Sequence, residues 1–161
     1  METRLNLLET PTSAKVAKRF YATSSVLTES SLPKSLQDLV MLRISQINGC
    51  GFCVDIHSKE AEAAGEQALR LHLVAAWRHS TVFTEAERAA LALAEEGTRI
   101  TVPGEVVSDA TWEAVRKHFD DDQLGALVCL IALMNASNRM ALIANMMGGE
   151  YTPDAFAALE E

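Results

Sequence analysis

Residues 38–65 read DLVMLRISQINGCGFCVDIHSKEAEAAG, and they contain both a helix break and two closely spaced cysteines. Before the break, apolar residues recur at every third or fourth position, which predicts an amphipathic helix. Asn48-Gly49 predicts the end of that helix. Cys50 then begins a further helix that runs to Ala64. The stretch therefore predicts two helices that fold against each other at a tight turn.

The same spacing runs through most of the 161-residue chain, whereas the alternation typical of strands is scarce. We therefore predict an all-α fold. Thr84 and Glu87 have the capping-box spacing at the start of one helix, and Ser108 can cap the next. Beyond the two helices described above, the predicted helices cover residues 13–28, 69–77, 86–98, 109–118 and 124–146.

The last predicted helix, 124–146, is apolar on nearly every side. Such a helix is typical of a central buried position or of a face shared with another subunit. We therefore expect Cys129, which lies within this helix, to be a buried core thiol. The methionines at this end are expected to fill the core or an interface rather than to bind a ligand.

Composition and charge argue against several function classes. The net charge is -8 and the sequence pI is near 5.0, without a Lys/Arg cluster, so we expect no nucleic-acid binding. The first residues are mixed and polar and do not have the pattern of a signal peptide. The longest apolar stretch, 124–134, is too short to span a bilayer. We expect a cytoplasmic protein that does not bind a membrane.

Two of the three cysteines, Cys50 and Cys53, lie close to His57, which allows a structural disulfide, a metal site or a reactive dithiol. In a reducing cytosol a close CxxC pair is more often redox-active or metal-binding than a permanent cross-link. Structural zinc needs four ligands, and the local set stops at three. Covalent haem needs histidine directly after the second cysteine, where this chain has Val54. We favour the dithiol and predict no metal and no cofactor.

On a helix, Cys50, Cys53 and His57 share one face, since residues three and four apart are neighbours. We expect the two sulfurs at an exposed helix end, close enough to form a disulfide. The helix N-terminus lowers the pKa of a thiol in the first turn, which favours Cys50. An imidazole that accepts a proton favours Cys53 instead. The sequence leaves open which thiol has the lower pKa.

Asp38 lies twelve residues before Cys50, on the preceding helix, and could orient His57 or carry its proton away. The turn at Asn48-Gly49 would bring the two helices together. From its position alone, a solvated surface aspartate is the more common arrangement. The sequence therefore names Asp38 as a candidate without assigning it a role.

The stretch 38–65 resembles the core motif of the alkylhydroperoxidase D-like family, within the carboxymuconolactone decarboxylase superfamily. The likeness continues in residues 77–98 and 130–142 and covers about 30–145. The motif positions are Asp38, Cys50, Cys53 and His57. The resemblance implies a helical bundle with the CxxC at a helix N-terminus, with residues 1–161 as a single domain.

The resemblance also implies a homo-oligomer (a dimer, trimer or hexamer) and the reduction of small organic hydroperoxides. It implies that an external dithiol reductant then reduces the oxidised cysteine pair again. It assigns Cys53 as the attacking cysteine and Cys50 as the resolving one, with His57 and Asp38 as a proton relay. This chain has Asp38 where glutamate is usual, and it lacks a histidine between the cysteines. Three further polar residues of the motif, Ser45, Gln46 and Asn48, are expected to support helix packing and the turn. Asn135 and Asn138 of the last helix are expected to do the same across a subunit contact.

Three functions are compatible with these residues. The first is a thiol-dependent peroxidase that acts on alkyl hydroperoxides. The second is a redox-sensing stress-response protein whose disulfide switches a partner contact. The third is a decarboxylase of the same superfamily, which the CxxC argues against because general acid–base chemistry needs no dithiol.

Overall fold

The computed structural model describes residues 2–101, 104, 106–153 and 155, and all regular elements within them are helical. This confirms the predicted all-α fold. The sequence Val102-Pro103-Gly104 predicts a loop, and residues 148–161 are predicted to form a short helix or a frayed end. Both stretches lie partly outside the described residues. The elements are α1 (Pro11–Thr28), α2 (Lys34–Asn48), α3 (Gly51–Ala63), α4 (Ala68–Leu73), a 3₁₀ helix (Val74–His79), α5 (Glu85–Thr98), α6 (Asp109–Arg116) and α7 (Asp121–Ile143).

Local residue chemistry determines where several of these helices begin or end. Gly49 ends α2 with a φ of 69°, a left-handed conformation that only glycine adopts at little cost. The Thr84 hydroxyl accepts from the amide of Glu87, and the Glu87 carboxylate accepts from the amide of Thr84, which forms the predicted capping box. The Ser108 hydroxyl accepts from the amide of Thr111 at the start of α6, and Asp120 forms a second capping box with Gln123 at the start of α7. The end of α2 and the starts of α5 and α6 agree with the predictions to within one residue, whereas α7 ends three residues before the predicted 146.

Helix α2 lies at the centre of the bundle and packs against α3, α5 and α7. One apolar core joins α2, α5, α6 and α7, and it includes both cysteines of the motif. A second core lies between α2, α5 and the segment that holds α4 and the 3₁₀ helix. Each face of α2 is therefore buried in a different core, which fixes the orientation of the residues that it carries toward α3.

A buried carboxylate, Glu95 on α5, ties α2 and the 3₁₀ helix to α5. It accepts from Arg43 Nε at 2.8 Å, from Trp77 Nε1 at 3.0 Å and from Arg78 Nη2 at 2.9 Å. Arg99 adds a longer contact at 3.5 Å. These donors hold the pKa of Glu95 below its ordinary value, although burial acts in the opposite direction.

The predicted fourth helix, 69–77, is not continuous. It is an α-helix up to Leu73 and a 3₁₀ helix from Val74, with non-helical dihedral angles at Ala76. The tighter 3₁₀ turn allows Trp77 to be buried with its indole N–H directed at Glu95. Pro33, which the sequence predicts in the first turn of α2, is instead the N-cap of that helix.

The expectation for Cys129 is wrong, because this residue is exposed. It lies on an outer face of α7 beside Val128, and Leu142 and Ile143 are exposed near the end of the same helix. Apolar periodicity could not reveal this, since α7 is apolar around most of its circumference and only part of that surface is covered within one chain.

Among the described helices, α7 is the only one that is long and apolar enough to cross a membrane by length and composition alone. At 23 residues it is longer than the stretch on which the sequence prediction was based. It packs against α1, α2 and α5, and core helices of globular domains meet the same criterion.

Polar side chains join α7 to the end of α2, directly before the cysteines. Asn48 donates to Asn135 at 3.0 Å and to Asn138 at 2.9 Å. Asn138 in turn donates to Ser45 at 3.3 Å. The expectation that the two α7 asparagines act across a subunit contact is corrected, since they bond within this chain and anchor the turn that leads to Cys50.

Candidate redox site

Cys50 is the N-cap of α3 and is disulfide-bonded to Cys53, with the two Cα atoms 5.3 Å apart. The Cys53 amide also donates to the Cys50 sulfur at 3.3 Å. Both cysteines are buried, with exposed fractions of 1% and 4%. The expectation of an exposed helix end is therefore wrong, because α3 begins inside the larger apolar core. The proximity of the two sulfurs is as predicted.

A cavity of about 450 Å³ lies beside this disulfide. Cys53 contributes to its wall, together with His57 and Asp38. The remainder of the wall is mostly apolar and comes from α1, α2, α3, α7 and residues close to either end of the described chain. Leu27 is the buried residue of α1, and the aromatic residues of this helix, Phe20 and Tyr21, line the cavity instead of the core. A ligand in the cavity would have direct access to Cys53.

His57 lies one helical turn after Cys53 on the cavity-facing side of α3. Burial lowers the pKa of His57 to about 4, and the positive charge of Lys34 acts in the same direction. The imidazole is therefore neutral at pH 7. A neutral imidazole can accept a proton from a nearby thiol, whereas an imidazolium cannot.

Asp38 reaches the same cavity from α2 and is buried, with an exposed fraction of 2%. Its carboxylate pairs with Lys34, one turn earlier on the same helix. Burial raises the pKa of Asp38 above its ordinary value; the Lys34 ammonium opposes that rise, whereas the charge of Glu60 adds to it. Asp38 is thus not the solvated surface residue that its position alone favoured.

The structure brings all four predicted residues to one place, but it does not join them into one hydrogen-bonded chain. In the described part of the protein, the hydrogen bond of Asp38 goes to Lys34 and not to His57. The relay role of Asp38 stays a prediction. Within the described residues, no cluster of three or more His, Cys, Asp or Glu side chains could hold a metal ion.

The polar residues of the cavity wall that the sequence reasoning missed include Lys34, Glu60 and Tyr151. The spacing of Lys34 to Asp38 is i to i+4, and that of His57 to Glu60 is i to i+3, so helix periodicity could have found both. Tyr151 lies more than 90 residues from its neighbours on α3, and no local pattern indicates it.

Comparison with known proteins shows which family the chain belongs to. A family model described as the carboxymuconolactone decarboxylase family matches residues 14–96, just over half of the chain. The chain belongs to the carboxymuconolactone decarboxylase family. The match includes α2, α3 and the 3₁₀ helix, and therefore all four predicted site residues.

This member of the carboxymuconolactone decarboxylase family is 36% identical to the uncharacterized protein YdfG of Bacillus subtilis (strain 168) over 114 residues, which are 71% of the chain and 76% of YdfG. It is 42% identical to the uncharacterized protein YnjA of Escherichia coli (strain K12) over 111 residues, which are 68% of the chain but 59% of YnjA. The match thus spans less than two thirds of YnjA.

A crystal structure from Agrobacterium tumefaciens superposes with a TM-score of 0.85 at 33% identity, covering 93% of this chain and 100% of the other. That protein is of unknown function, and a role as the antioxidant defence protein AhpD has been suggested for it. The fold of this carboxymuconolactone decarboxylase family member is thus AhpD-like along most of its length.

Proposed function

We propose that this chain is a thiol-dependent peroxidase that reduces small organic hydroperoxides. The observation that supports this most strongly is the asymmetry of the disulfide: Cys53 lines a large apolar cavity, and Cys50 lies behind it as the helix cap. A neutral imidazole, His57, lies one turn beyond Cys53 in the same cavity. The AhpD role suggested for the Agrobacterium relative agrees with this proposal.

In the first step, His57 accepts the proton of the reduced Cys53 thiol. The thiolate attacks the terminal oxygen of the hydroperoxide, and the O–O bond breaks. Cys53 becomes a sulfenic acid, and the alkoxide leaving group takes the proton from His57 and leaves as an alcohol. The apolar wall suits the organic part of such a substrate and limits competing reactions with water.

In the second step, the Cys50 thiol attacks the sulfenic sulfur of Cys53 and releases water, which gives the disulfide. An external dithiol then reduces this disulfide by thiol–disulfide exchange and is itself oxidised. The backbone hydrogen bond from Cys53 to the Cys50 sulfur keeps the two side chains together for this step. The dithiol partner and a cytoplasmic location belong to the proposal.

Asp38 is proposed to exchange protons with His57 through water, since its raised pKa suits a group that changes protonation near the reaction. A homo-oligomer is also part of the proposal. The exposed apolar residues Val128, Leu142 and Ile143 on α7 are suited to a contact between copies of the chain.

The test is a thiol count on the reduced protein after addition of cumene hydroperoxide. Because Cys129 is exposed and would also react, the count is made in a Cys129→Ser background. We expect both remaining thiols to be lost together and to return with a dithiol reductant, and we expect His57→Gln to slow the loss. If both thiols survive millimolar peroxide, the proposal is wrong.

Steady-state turnover and the oligomeric state, measured beside the thiol count, separate the alternative functions. Oxidation that is stoichiometric, slow and accompanied by a change of oligomer would favour a redox sensor. Turnover of a lactone acid without dependence on the cysteines would favour the decarboxylase chemistry after which the family is named. Repeated turnover with a dithiol reductant argues for the peroxidase.

A further inference from the structure

Residues 148–151, here named the tail segment, lie across α3 and are held there by its side chains. The Asp55 carboxylate accepts from the amide of Gly149 at 2.6 Å and from the amide of Tyr151 at 3.0 Å. Lys59 donates to the carbonyl of Tyr151 at 2.7 Å and pairs with Asp55 at the same distance. The tail segment is therefore docked by a charged pair on one turn of α3.

The tail segment also contacts the first turn of α3 directly, at the residues between the two cysteines. A Cβ atom placed on Gly148 would lie 2.4 Å from the carbonyl oxygen of Gly51 and 3.1 Å from the amide nitrogen of Phe52. No side chain fits there without a shift of backbone, so glycine is required for this approach. The segment is thus fitted closely to the helix that carries Cys53.

This docking places the Tyr151 side chain in the wall of the cavity. Its hydroxyl bonds to the carboxylate of Glu60, which lies one turn beyond His57 on α3. Tyr151 is partly exposed and also belongs to the cavity wall. A large aromatic side chain whose segment is held by Asp55 and Lys59, and whose hydroxyl is bonded to Glu60, takes up space that an incoming molecule would otherwise use.

We propose that Tyr151, held in place by the docked tail segment, determines the size of the molecule that reaches Cys53. The part of this inference that concerns hydroperoxides rests on the proposed function, and Tyr151 would then determine substrate specificity. The part that concerns steric access of any reagent to the Cys53 sulfur rests on geometry alone. Substrate specificity and steric access can therefore be tested separately.

The test measures alkylation of Cys53 by a small reagent, iodoacetamide, and a bulky one, N-(1-pyrenyl)maleimide. A Cys50→Ser/Cys129→Ser background leaves Cys53 as the sole thiol. We expect Tyr151→Ala to raise the rate with the bulky reagent about tenfold, which is typical of steric selection in a pocket, and to change the small-reagent rate little. Asp55→Ala should have the same selective effect by releasing the tail segment.

Two controls make the result specific. Tyr151→Phe keeps the ring and loses only the hydroxyl, so its rate with the bulky reagent should stay close to that of the parent. Glu113→Ala alters an exposed carboxylate on α6, away from the cavity, and should change neither rate. If Tyr151→Ala and Asp55→Ala leave the ratio of the two rates unchanged, the inference is wrong, whether the separate rates rise or not.

The corresponding peroxide measurement compares kcat/KM for cumene hydroperoxide and for hydrogen peroxide in the parent and in Tyr151→Ala. We expect the ratio to shift toward the larger substrate by a similar factor. A parent protein that consumes no peroxide contradicts the proposed function, while the alkylation ratios still decide the role of Tyr151. A parent that turns over both peroxides with no shift in Tyr151→Ala contradicts the inference alone.

Discussion

Asp38 and Glu95 are both buried carboxylates on the central helices, yet their surroundings shift their pKa values in opposite directions. Glu95 is 4% exposed and accepts hydrogen bonds from arginines and from an indole N–H, and these donors lower its pKa. Asp38 has Lys34 as its partner, whose side chain is itself partly in solvent, and burial raises its pKa. The same chemical group is thus fixed as an anion in one place and left poised to change protonation in the other.

The difference indicates which polar groups hold the fold together and which can take part in chemistry. A carboxylate whose oxygens are all bonded cannot exchange a proton without loss of those bonds. A carboxylate beside a cavity, with one partner, can do so at a lower cost in stability. The hydrogen bonds of Glu95 thus hold α2, α5 and the 3₁₀ helix together, whereas the region around Asp38 and His57 is the one that we propose to be reactive.

The largest expected effect is the loss of stability in Glu95→Gln. The substitution leaves the nearly buried guanidinium of Arg43 without its counter-charge, which typically costs about 3–5 kcal/mol in the free energy of unfolding. Urea denaturation measures this, with Glu113→Gln as the exposed control. A loss below about 1 kcal/mol, as for an ordinary surface pair, would contradict the structural role of Glu95.

The next effect is a dependence of stability on pH caused by His57. Its pKa is lowered from 6.5 to about 4 in the folded chain, so between these values the unfolded state binds the additional proton. Stability therefore falls as pH falls, by about 2 kcal/mol between pH 7 and pH 5. The raised pKa of Asp38 acts in the opposite direction, because burial favours the protonated carboxyl in the folded state.

Denaturation curves at pH 7 and pH 5 test this for the parent and for His57→Gln, which should lose most of the slope. His118→Gln, at an exposed histidine, should retain the slope of the parent. An unchanged slope in His57→Gln would show that the imidazole is not held neutral by its surroundings.

The smallest expected effect is that of Asp38→Asn on stability. Because burial disfavours the charge of Asp38 and Lys34 can turn to solvent, a neutral side chain of the same shape should change the free energy of unfolding by about 1 kcal/mol or less. The reaction with peroxide should nevertheless slow. A stability loss as large as that of Glu95→Gln would place both carboxylates in the same structural class.

The sequence predicts what depends on local chemistry. The left-handed Gly49, the Thr84 capping box and the placement of Cys53 and His57 one turn apart on α3 each follow from a few neighbouring residues, and the structure agrees with all three. The helix boundaries and the place of the CxxC follow from them. The extent of a single domain over residues 1–161 stays a prediction.

The sequence does not predict features that depend on the packing of a segment distant in the chain. The sulfurs are buried because α3 begins inside a core that α7 completes, and Tyr151 reaches the cavity only through the docking of its segment on Asp55. Cys129 is the opposite case, because its sequence neighbours are apolar but no other described element packs over it and it is exposed. Local periodicity identifies an apolar face but not the element that packs on it.

The central claim, that Cys53 is the attacking sulfur, is tested most directly by mass spectrometry of two single variants after treatment with peroxide and a sulfenic-acid trap. Both Cys50→Ser and Cys53→Ser are made in the Cys129→Ser background. We expect a trapped sulfenic acid in Cys50→Ser and none in Cys53→Ser. Trapping in Cys53→Ser alone would make Cys50 the attacking residue and contradict the assignment drawn from the cavity.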